Sequence, residues 1–282
     1  AWAAAHEGYL LHSSNFGATW KVALSGRDVA RLSVGGLEQK ISLLEEAVAN
    51  AAPDEREDAE WALDDAHYAL EEATAAIDEG MTSPLLKVWF ANDNDGFALG
   101  AYGTFLRTTD GGDTWASEGH RLDNPDNYHL YSITRSAAGT LLLAGEAGTL
   151  LRSLDDGNEW ERVETSYPGS YFGAVAPSDG SLLIFGLRGN TFRSTDEGAS
   201  WVAVDTGDQR TLMGGTASDD GSVILTGAAG AVLRSADAGA TFDVIPTTGN
   251  RVFSDVITAA DGRVLLVGFG GISVLGEASD DE

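Results

Sequence analysis

Apolar and polar positions follow two different periods along this chain. Before residue 37 and after residue 84, runs of a few apolar residues, such as 141–144 and 182–186, are separated by turns rich in glycine and aspartate. Short apolar runs bounded by turn residues predict β-strands. Between residues 37 and 77 the apolar residues instead recur every three or four positions, which predicts two helices, over 37–51 and 59–77, with a turn at Pro53.

An octapeptide of the pattern S/T-x-D/N-x-G-x-T/S/E-W/F occurs five times, at 13–20, 108–115, 153–160, 194–201 and 235–242. The later copies begin 45, 41 and 41 residues apart, and the first gap is 95 residues. Each ordinary interval holds four short predicted strands, which is typical of one blade of a β-propeller. The long first gap therefore contains an insertion of roughly 50 residues.

The octapeptide has residues suited to a tight turn with an aromatic anchor. Hydroxyl and carboxylate oxygens can accept backbone N–H bonds, and glycine supplies a positive φ. We expect the final aromatic to pack between sheets. The predicted structural pairs are Asn15 with Trp20, Asp110 with Trp115, Asp155 with Trp160, Asp196 with Trp201, and Asp237 with Phe242.

This octapeptide resembles the Asp-box of BNR-repeat propellers, which include sialidases, sortilin-type receptors and photosystem II stability/assembly-factor-like proteins. The resemblance covers the chain outside the insertion. It implies an all-β propeller and places each box between the third and fourth strands of a blade. Counting the repeats and their strands predicts that this propeller is six-bladed. Asn15 and Phe242 depart from the pattern conservatively.

Counting strands from the boxes makes the first and last blades incomplete, the first lacking its innermost strand and the last its outermost. We expect the missing strands to come from an upstream stretch of roughly 20 residues. The expected organisation is a propeller over 1–35 and 81–276, a helical hairpin insertion over 36–80, and an acidic tail over 277–282.

The predicted hairpin is strongly acidic. Residues 37–79 contain 14 Asp and Glu against Lys40 and Arg56, a net charge of −12. One interpretation is a solvated hairpin that keeps the protein soluble; the other, which we favour, is an arm that binds a partner. Trp61 and Tyr68 lie off the leucine stripe, so they either contact the partner or pack against the hairpin root or the propeller.

Composition excludes several classes of function. The chain of 282 residues has 17 Lys and Arg against 44 Asp and Glu, a net charge of −27. Such a surface repels nucleic acids and anionic lipids. No apolar run is long enough to span a bilayer. The absence of cysteine excludes disulfides and thiolate metal sites, and the histidine spacing fits no zinc hydrolase motif. We expect neither a metal nor a cofactor.

Residues that do not recur in every blade are the candidates for binding. In propeller topology the loops between blades and the turns between second and third strands project to one face, which we expect to bind a partner because Arg and Tyr are common at interface hot spots. The alternative is that they are scattered solvated loop residues. The candidates are Arg121, Tyr128, His129, Tyr167, Tyr171, Arg188, Arg210 and Arg251.

A sialidase-like glycosidase is a further alternative, since Arg188, Arg210 and Arg251 imitate an arginine triad. Tyr171 with Glu146 would supply the nucleophile pair, and Asp208 the acid. The Arg-Ile-Pro motif of sialidases is missing, so we expect no catalytic residues.

The resemblance implies a non-enzymatic protein that docks on a membrane protein complex. We expect a periplasmic accessory subunit of an RND/MMPL-type transporter, bound through the helical arm and the Arg/Tyr face without membrane insertion, and exported by a signal upstream of this chain. The alternative is a photosystem II assembly factor.

Overall fold

The computed structural model of the protein describes residues 1–247, 249–259 and 261–276. The chain forms two compact units, residues 1–130 and 131–282, which are described separately below. The described residues contain six small antiparallel sheets and two long helices. The chain is therefore mostly β, as predicted, and the expected acidic tail at 277–282 lies outside the described residues.

The first unit holds a three-stranded and a four-stranded sheet, each with its strands in chain order. The first sheet consists of β1 (Trp2–Ala4), β2 (Leu10–His12) and β3 (Lys21–Leu24). The second consists of β4 (Leu85–Phe90), β5 (Gly96–Gly100), β6 (Phe105–Thr108) and β7 (Ala116–Ser117).

Two helices connect these sheets, α1 (Gly26–Asn50) and α2 (Arg56–Asp78). They pack against each other, as the predicted hairpin requires. However, α1 begins at Gly26, earlier than the predicted start at 37 and across the expected boundary at 35. The Ser25 hydroxyl accepts the Asp28 N–H at 3.3 Å, while the Asp28 carboxylate accepts the Ser25 N–H at 2.9 Å. This capping box starts the helix.

The first turns of α1 are held against the β-sheets rather than in solvent. Val29 is 2% exposed and packs in a cluster with Leu10 and Leu85. A Cβ atom added to Gly36 would lie only 2.6 Å from the Ser117 hydroxyl. Because glycine allows this close approach, the root of the hairpin sits directly on β7.

The second unit contains three four-stranded sheets and one three-stranded sheet among its described residues. The first two are β8 (Leu130–Arg135), β9 (Leu141–Gly145), β10 (Leu150–Ser153) and β11 (Glu161–Arg162), then β12 (Tyr171–Val175), β13 (Leu182–Gly186), β14 (Thr191–Ser194) and β15 (Val202–Ala203). The others are β16 (Leu212–Ala217), β17 (Val223–Gly227), β18 (Val232–Ser235) and β19 (Asp243–Val244), then β20 (Phe253–Thr258), β21 (Val264–Gly268) and β22 (Gly271–Val274).

In the three four-stranded sheets of the second unit the core lies on the second strand, which is the most apolar run of each repeat in the sequence. Every residue of β9, β13 and β17 is buried. Alternate residues of a strand face opposite sides, and successive sheets cover both. Leu142, Ile184 and Phe192 share one cluster, whereas Leu183 and Leu225 belong to the next. The prediction of four strands per repeat is confirmed.

Candidate functional site

The Asp-box octapeptides form closely similar hydrogen-bonded corners. The later four copies follow the third strand of a four-stranded sheet, whereas the first copy follows β2, the second strand of a three-stranded sheet. In the copy at 194–201 the Ser194 hydroxyl donates to Asp196 Oδ1 at 2.7 Å and accepts the Gly198 N–H at 2.9 Å. The Ser200 N–H donates to Asp196 Oδ1 at 2.9 Å, and its hydroxyl to Oδ2 at 2.6 Å. The chain turns here because Glu197 and Gly198 both have positive φ, 56° and 78°.

The same core bonds recur in the other copies, where each carboxylate accepts hydrogen bonds from its own turn. Hydrogen bonds from the side chain and backbone of the residue four positions later lower the pKa of Asp110, Asp196 and Asp237 to about 2. Asn15 replaces the carboxylate without loss of the turn, since its amide donates to the Thr19 hydroxyl at 2.9 Å.

The aromatic residues that close the boxes divide into buried and exposed members. Trp115 is 8% exposed and packs with Leu10 and Leu106, which belong to two sheets. Trp201 and Phe242 also pack against core clusters, and the half-buried Trp160 donates its indole N–H to the Gly157 carbonyl at 3.2 Å.

Trp20 does not follow this pattern, because 43% of it is exposed. Its ring lies over Gly17, where an added Cβ would be 3.6 Å away. The prediction that each box aromatic packs between sheets is therefore wrong for Trp20.

Two of the arginines that precede the boxes connect one repeat to the next. The Arg152 guanidinium donates to the Glu197 carbonyl at 3.2 Å, and that of Arg193 to the Ala238 carbonyl at 2.9 Å. Both acceptors are left-handed residues of the following box. Each guanidinium also pairs with a carboxylate, Glu161 or Asp179, at 2.5 Å. These two arginines therefore hold successive repeats together.

The predicted binding residues of the first unit lie in and beside the loop after β7. Arg121 is exposed and lies 3.8 Å from the Glu118 carboxylate. The half-buried His129 ring lies 5.0 Å from the Tyr102 ring, which is 67% exposed. Tyr128 is held through its backbone, which exchanges two hydrogen bonds with the Asn124 side chain.

Among the predicted residues of the second unit, Tyr167 and Arg188 are accessible. The half-buried Tyr167 donates its hydroxyl to the Leu187 carbonyl at 3.3 Å. Arg188 is exposed on the turn between β13 and β14, with a positive φ of 59°. Arg251 is half-buried beside the turn after β17.

Arg210 is also half-buried. Its guanidinium pairs with Asp208 and donates to the Ala229 carbonyl at 2.9 Å, so it is fixed within its own loops.

Tyr171 requires a correction, because its side chain is part of the core. It is 0% exposed and packs with Leu142 and Phe192. Its hydroxyl bonds to the Thr165 hydroxyl and to the Tyr167 carbonyl, and burial raises its pKa to about 12. Tyr171 cannot reach a protein partner, nor can it serve as a glycosidase nucleophile.

Asp208, which would be the general acid in the sialidase alternative, is paired with Arg210. Hydrogen bonding to the Arg210 side chain is the main cause that lowers its pKa. A general acid needs a raised pKa. The structure therefore provides neither the nucleophile nor the acid that the sialidase alternative requires.

The helical hairpin presents its two candidate aromatics to solvent. Trp61 is 67% exposed and Tyr68 is 64% exposed, so neither packs against the hairpin root or a sheet. The Tyr68 hydroxyl bonds to Glu72, and this bond is the main cause that raises the pKa of Tyr68. The packing interpretation is therefore wrong, and contact of these two rings with a partner stays a prediction.

Sequence reasoning missed a groove between the hairpin and the second sheet of the first unit. The groove has a volume of about 1030 Å³. Its walls are α1 and α2 on one side and residues 117–127 on the other. Its lining comes from segments distant in sequence that carry no shared motif, so no single motif could have revealed it.

No helix among the described residues combines the length and apolarity required to cross a bilayer. Within the same residues, no group of three or more histidines, aspartates and glutamates is placed to hold a metal ion. The turn between β4 and β5 is held by the Asn92 side chain, which accepts the Asp95 N–H at 2.9 Å.

Comparison with known proteins identifies the family of this architecture. The family model described as photosynthesis system II assembly factor YCF48 matches residues 68–224, more than half of the chain. The photosystem II assembly lipoprotein Ycf48 of Synechococcus sp. (strain CC9902) is 33% identical over 86 residues, which are 30% of this chain and 26% of the relative. The chain thus matches about a quarter of that relative's length.

Solved structures show the same fold. A structure described as YCF48 bound to D1 peptide has a TM-score of 0.56 and 22% identity, and the likeness covers 68% of this chain and 63% of that one. YCF48 from Cyanidioschyzon merolae has a TM-score of 0.52 and 19% identity, over 68% of this chain and 66% of that one. The predicted propeller class is confirmed, while the number of six blades stays a prediction.

Proposed function

The chain belongs to the photosynthesis system II assembly factor YCF48 family, and we propose that it is a non-enzymatic assembly factor that binds a segment of a membrane protein complex. The observation that carries this proposal is the family match over 68–224, which includes much of α2 and the sheets from β4 to β17. One relative of the same fold is described as bound to D1 peptide.

Photosystem II is the complex that we propose as the partner. The transporter that we expected from the sequence has no support among the comparisons, whereas the photosystem II alternative has the support of the family model and of a relative described as an assembly lipoprotein. That lipoprotein also supports our proposal that this protein is exported and acts on the periplasmic side of a membrane.

The exposed loop residues of the second unit, Tyr167 and Arg188, are the proposed contact surface for the bound segment and are called here the loop surface. Arg188 supplies a cation and Tyr167 a half-buried ring. Arg121, Tyr128 and His129 of the first unit stay candidates that are considered apart from it. Arginine and tyrosine combine apolar area with directed hydrogen bonds, which makes them frequent in binding hot spots. Arg210 and Tyr171 are left out of this surface because one is paired and the other buried.

A binding titration with a synthetic D1 peptide tests this proposal. We expect the wild-type protein to bind, and Arg188→Ala to weaken binding about tenfold, since truncating a hot-spot residue costs more than about 1 kcal/mol. Arg234→Ala removes the same charge from an exposed arginine that precedes a box and should bind as wild type. Absence of binding, or equal weakening by both variants, would contradict the proposal.

A further inference from the structure

The groove between the hairpin and the second sheet, called here the hairpin groove, has lining residues that sequence did not single out. Its volume of about 1030 Å³ is at the upper end of ligand-sized cavities. α1 contributes Leu37 and Lys40, α2 contributes Glu72, Ala73 and Ala76, and the opposite wall includes Leu122.

The groove is built on a fixed base with an acidic helix as its outer wall. α1 is anchored by the buried Val29 and by the close approach of Gly36 to Ser117. α2 packs along α1, and Ala66 is its only described residue that is buried. The small side chains of Ala73 and Ala76 face the groove and keep it open, so its apolar floor is accessible from solvent.

Charge around the groove has one dominant sign. Four carboxylates line it, those of Glu72, Glu79, Asp123 and Asp126, against the single ammonium of Lys40. Phosphates and anionic lipid headgroups are therefore poor occupants. A cationic group beside an apolar stretch fits both the rim and the floor.

We propose that the hairpin groove binds a basic, partly apolar segment of a partner protein, with lysine or arginine against the acidic rim and apolar side chains against the alanine and leucine floor. This inference rests on the proposed function, because it gives the assembly factor a second contact with its partner. The hairpin groove is formed by residues other than those of the loop surface, and its charge has the opposite sign.

A fluorescence anisotropy titration with a labelled synthetic peptide of alternating leucine and lysine pairs tests the proposal on the full chain. We expect Glu72→Lys to weaken binding about tenfold, as loss of a close charge pair does. Glu71→Lys changes the net charge equally, next to Glu72 but outside the lining, and should bind as wild type. Equal weakening by both variants would show binding to general negative charge and overturn the proposal.

Two further measurements test the apolar floor of the groove. Ala73→Trp should fill the groove and weaken peptide binding, whereas Thr74→Trp places the same side chain on an exposed neighbouring position and should not. A peptide with serine in place of leucine should bind more weakly than the leucine peptide. If the serine peptide binds equally well, or if Ala73→Trp has no effect while circular dichroism shows a folded protein, the groove is not the site.

The D1 peptide titration separates this inference from the proposed function. Glu72→Lys should leave that titration unchanged, because its side chain lies outside the loop surface. Loss of leucine–lysine peptide binding with intact D1 peptide binding therefore concerns the groove alone, whereas failure of wild-type protein to bind D1 peptide concerns the proposed function.

Discussion

The Asp-box corners and the helical hairpin both carry carboxylates, but they use them in different ways. In the corners each carboxylate accepts hydrogen bonds from its own turn, as Asp196 does from Ser194 and Ser200. In the hairpin 14 carboxylates lie within 37–79, and Arg56 with Glu60, 3.9 Å apart, is an exposed pair that contributes little.

This difference distinguishes carboxylates that stabilise a turn from carboxylates that are available to bind a partner. When both oxygens of a carboxylate accept hydrogen bonds within one turn, the carboxylate stabilises that turn. Because the turn recurs along the chain, the sheets that contain it are similar. Carboxylates that project from a helix without such bonds do not determine the fold. Stabilising the fold therefore does not explain why the hairpin has so many of them. The exposed Trp61 and Tyr68 among them favour binding.

Matched leucine substitutions test this comparison with the largest expected effect. Leu142→Ala removes a side chain that is 0% exposed, so we expect the free energy of unfolding to fall by about 2–5 kcal/mol. Leu43→Ala, on α1 and 56% exposed, should change it by less than about 0.5 kcal/mol. Urea unfolding measures both. Similar losses at the two sites would mean that the hairpin is part of the core.

Serine substitutions address the corner itself. Ser194→Ala leaves the Gly198 N–H without its acceptor at a site where serine is 2% exposed. We expect the free energy of unfolding to fall by about 1–3 kcal/mol. Ser42→Ala removes an exposed hydroxyl that bonds to the Glu38 carbonyl and serves as the control. A stability equal to wild type for Ser194→Ala would contradict the structural role of the corner.

Arginine-to-lysine changes test the connection between successive repeats. Arg193→Lys keeps the charge but cannot bond simultaneously to the Ala238 carbonyl and Asp179 as the guanidinium does. We expect a loss of about 1 kcal/mol in unfolding free energy, the net value of one hydrogen bond. Arg234→Lys, at the equivalent and exposed position of the next repeat, should have no effect. Equal effects of the two substitutions on the unfolding free energy would contradict a bridging role for Arg193.

The smallest expected effect is on the pH dependence of stability. The pKa of Asp196 is about 2 in the folded protein and about 3.9 in an unfolded chain. Because the folded pKa is the lower one, its contribution to stability is present above about pH 4 and is lost as pH falls toward 2.

Asp196→Asn keeps an acceptor, as Asn15 does naturally, and should flatten the fall of the melting temperature over that range. Asp64→Asn, on the exposed hairpin, should keep the wild-type slope. An unchanged slope for Asp196→Asn would show that the corner bonds do not depend on the carboxylate charge.

Repetition explains how much of the fold was visible in the sequence. Five copies of one turn, with glycine at the same position, each indicate the same local geometry. The strands and corners could therefore be predicted from the sequence. The start of α1 was not, because residues 26–36 pack against β-sheets and their apolar positions do not distinguish a helix from a strand.

The candidate site was less visible because exposure depends on which face of a strand a residue occupies. In β12 the residues Tyr171, Gly173 and Val175 are buried and alternate with half-buried Phe172 and Ala174. That period of two was the signal that could have placed Tyr171 in the core. The hairpin groove combines residues from two helices and a distant loop, and only the tertiary structure brings them together.

Deletion of residues 37–79 tests the central claim most directly, because it separates the structural corners from the proposed binding arm. The account predicts that the melting temperature stays close to that of the full chain, while the yield of photosystem II subunits purified from native membranes with the protein falls sharply. Recovery of the same subunits in equal yield, or unfolding of the remaining sheets, would contradict it.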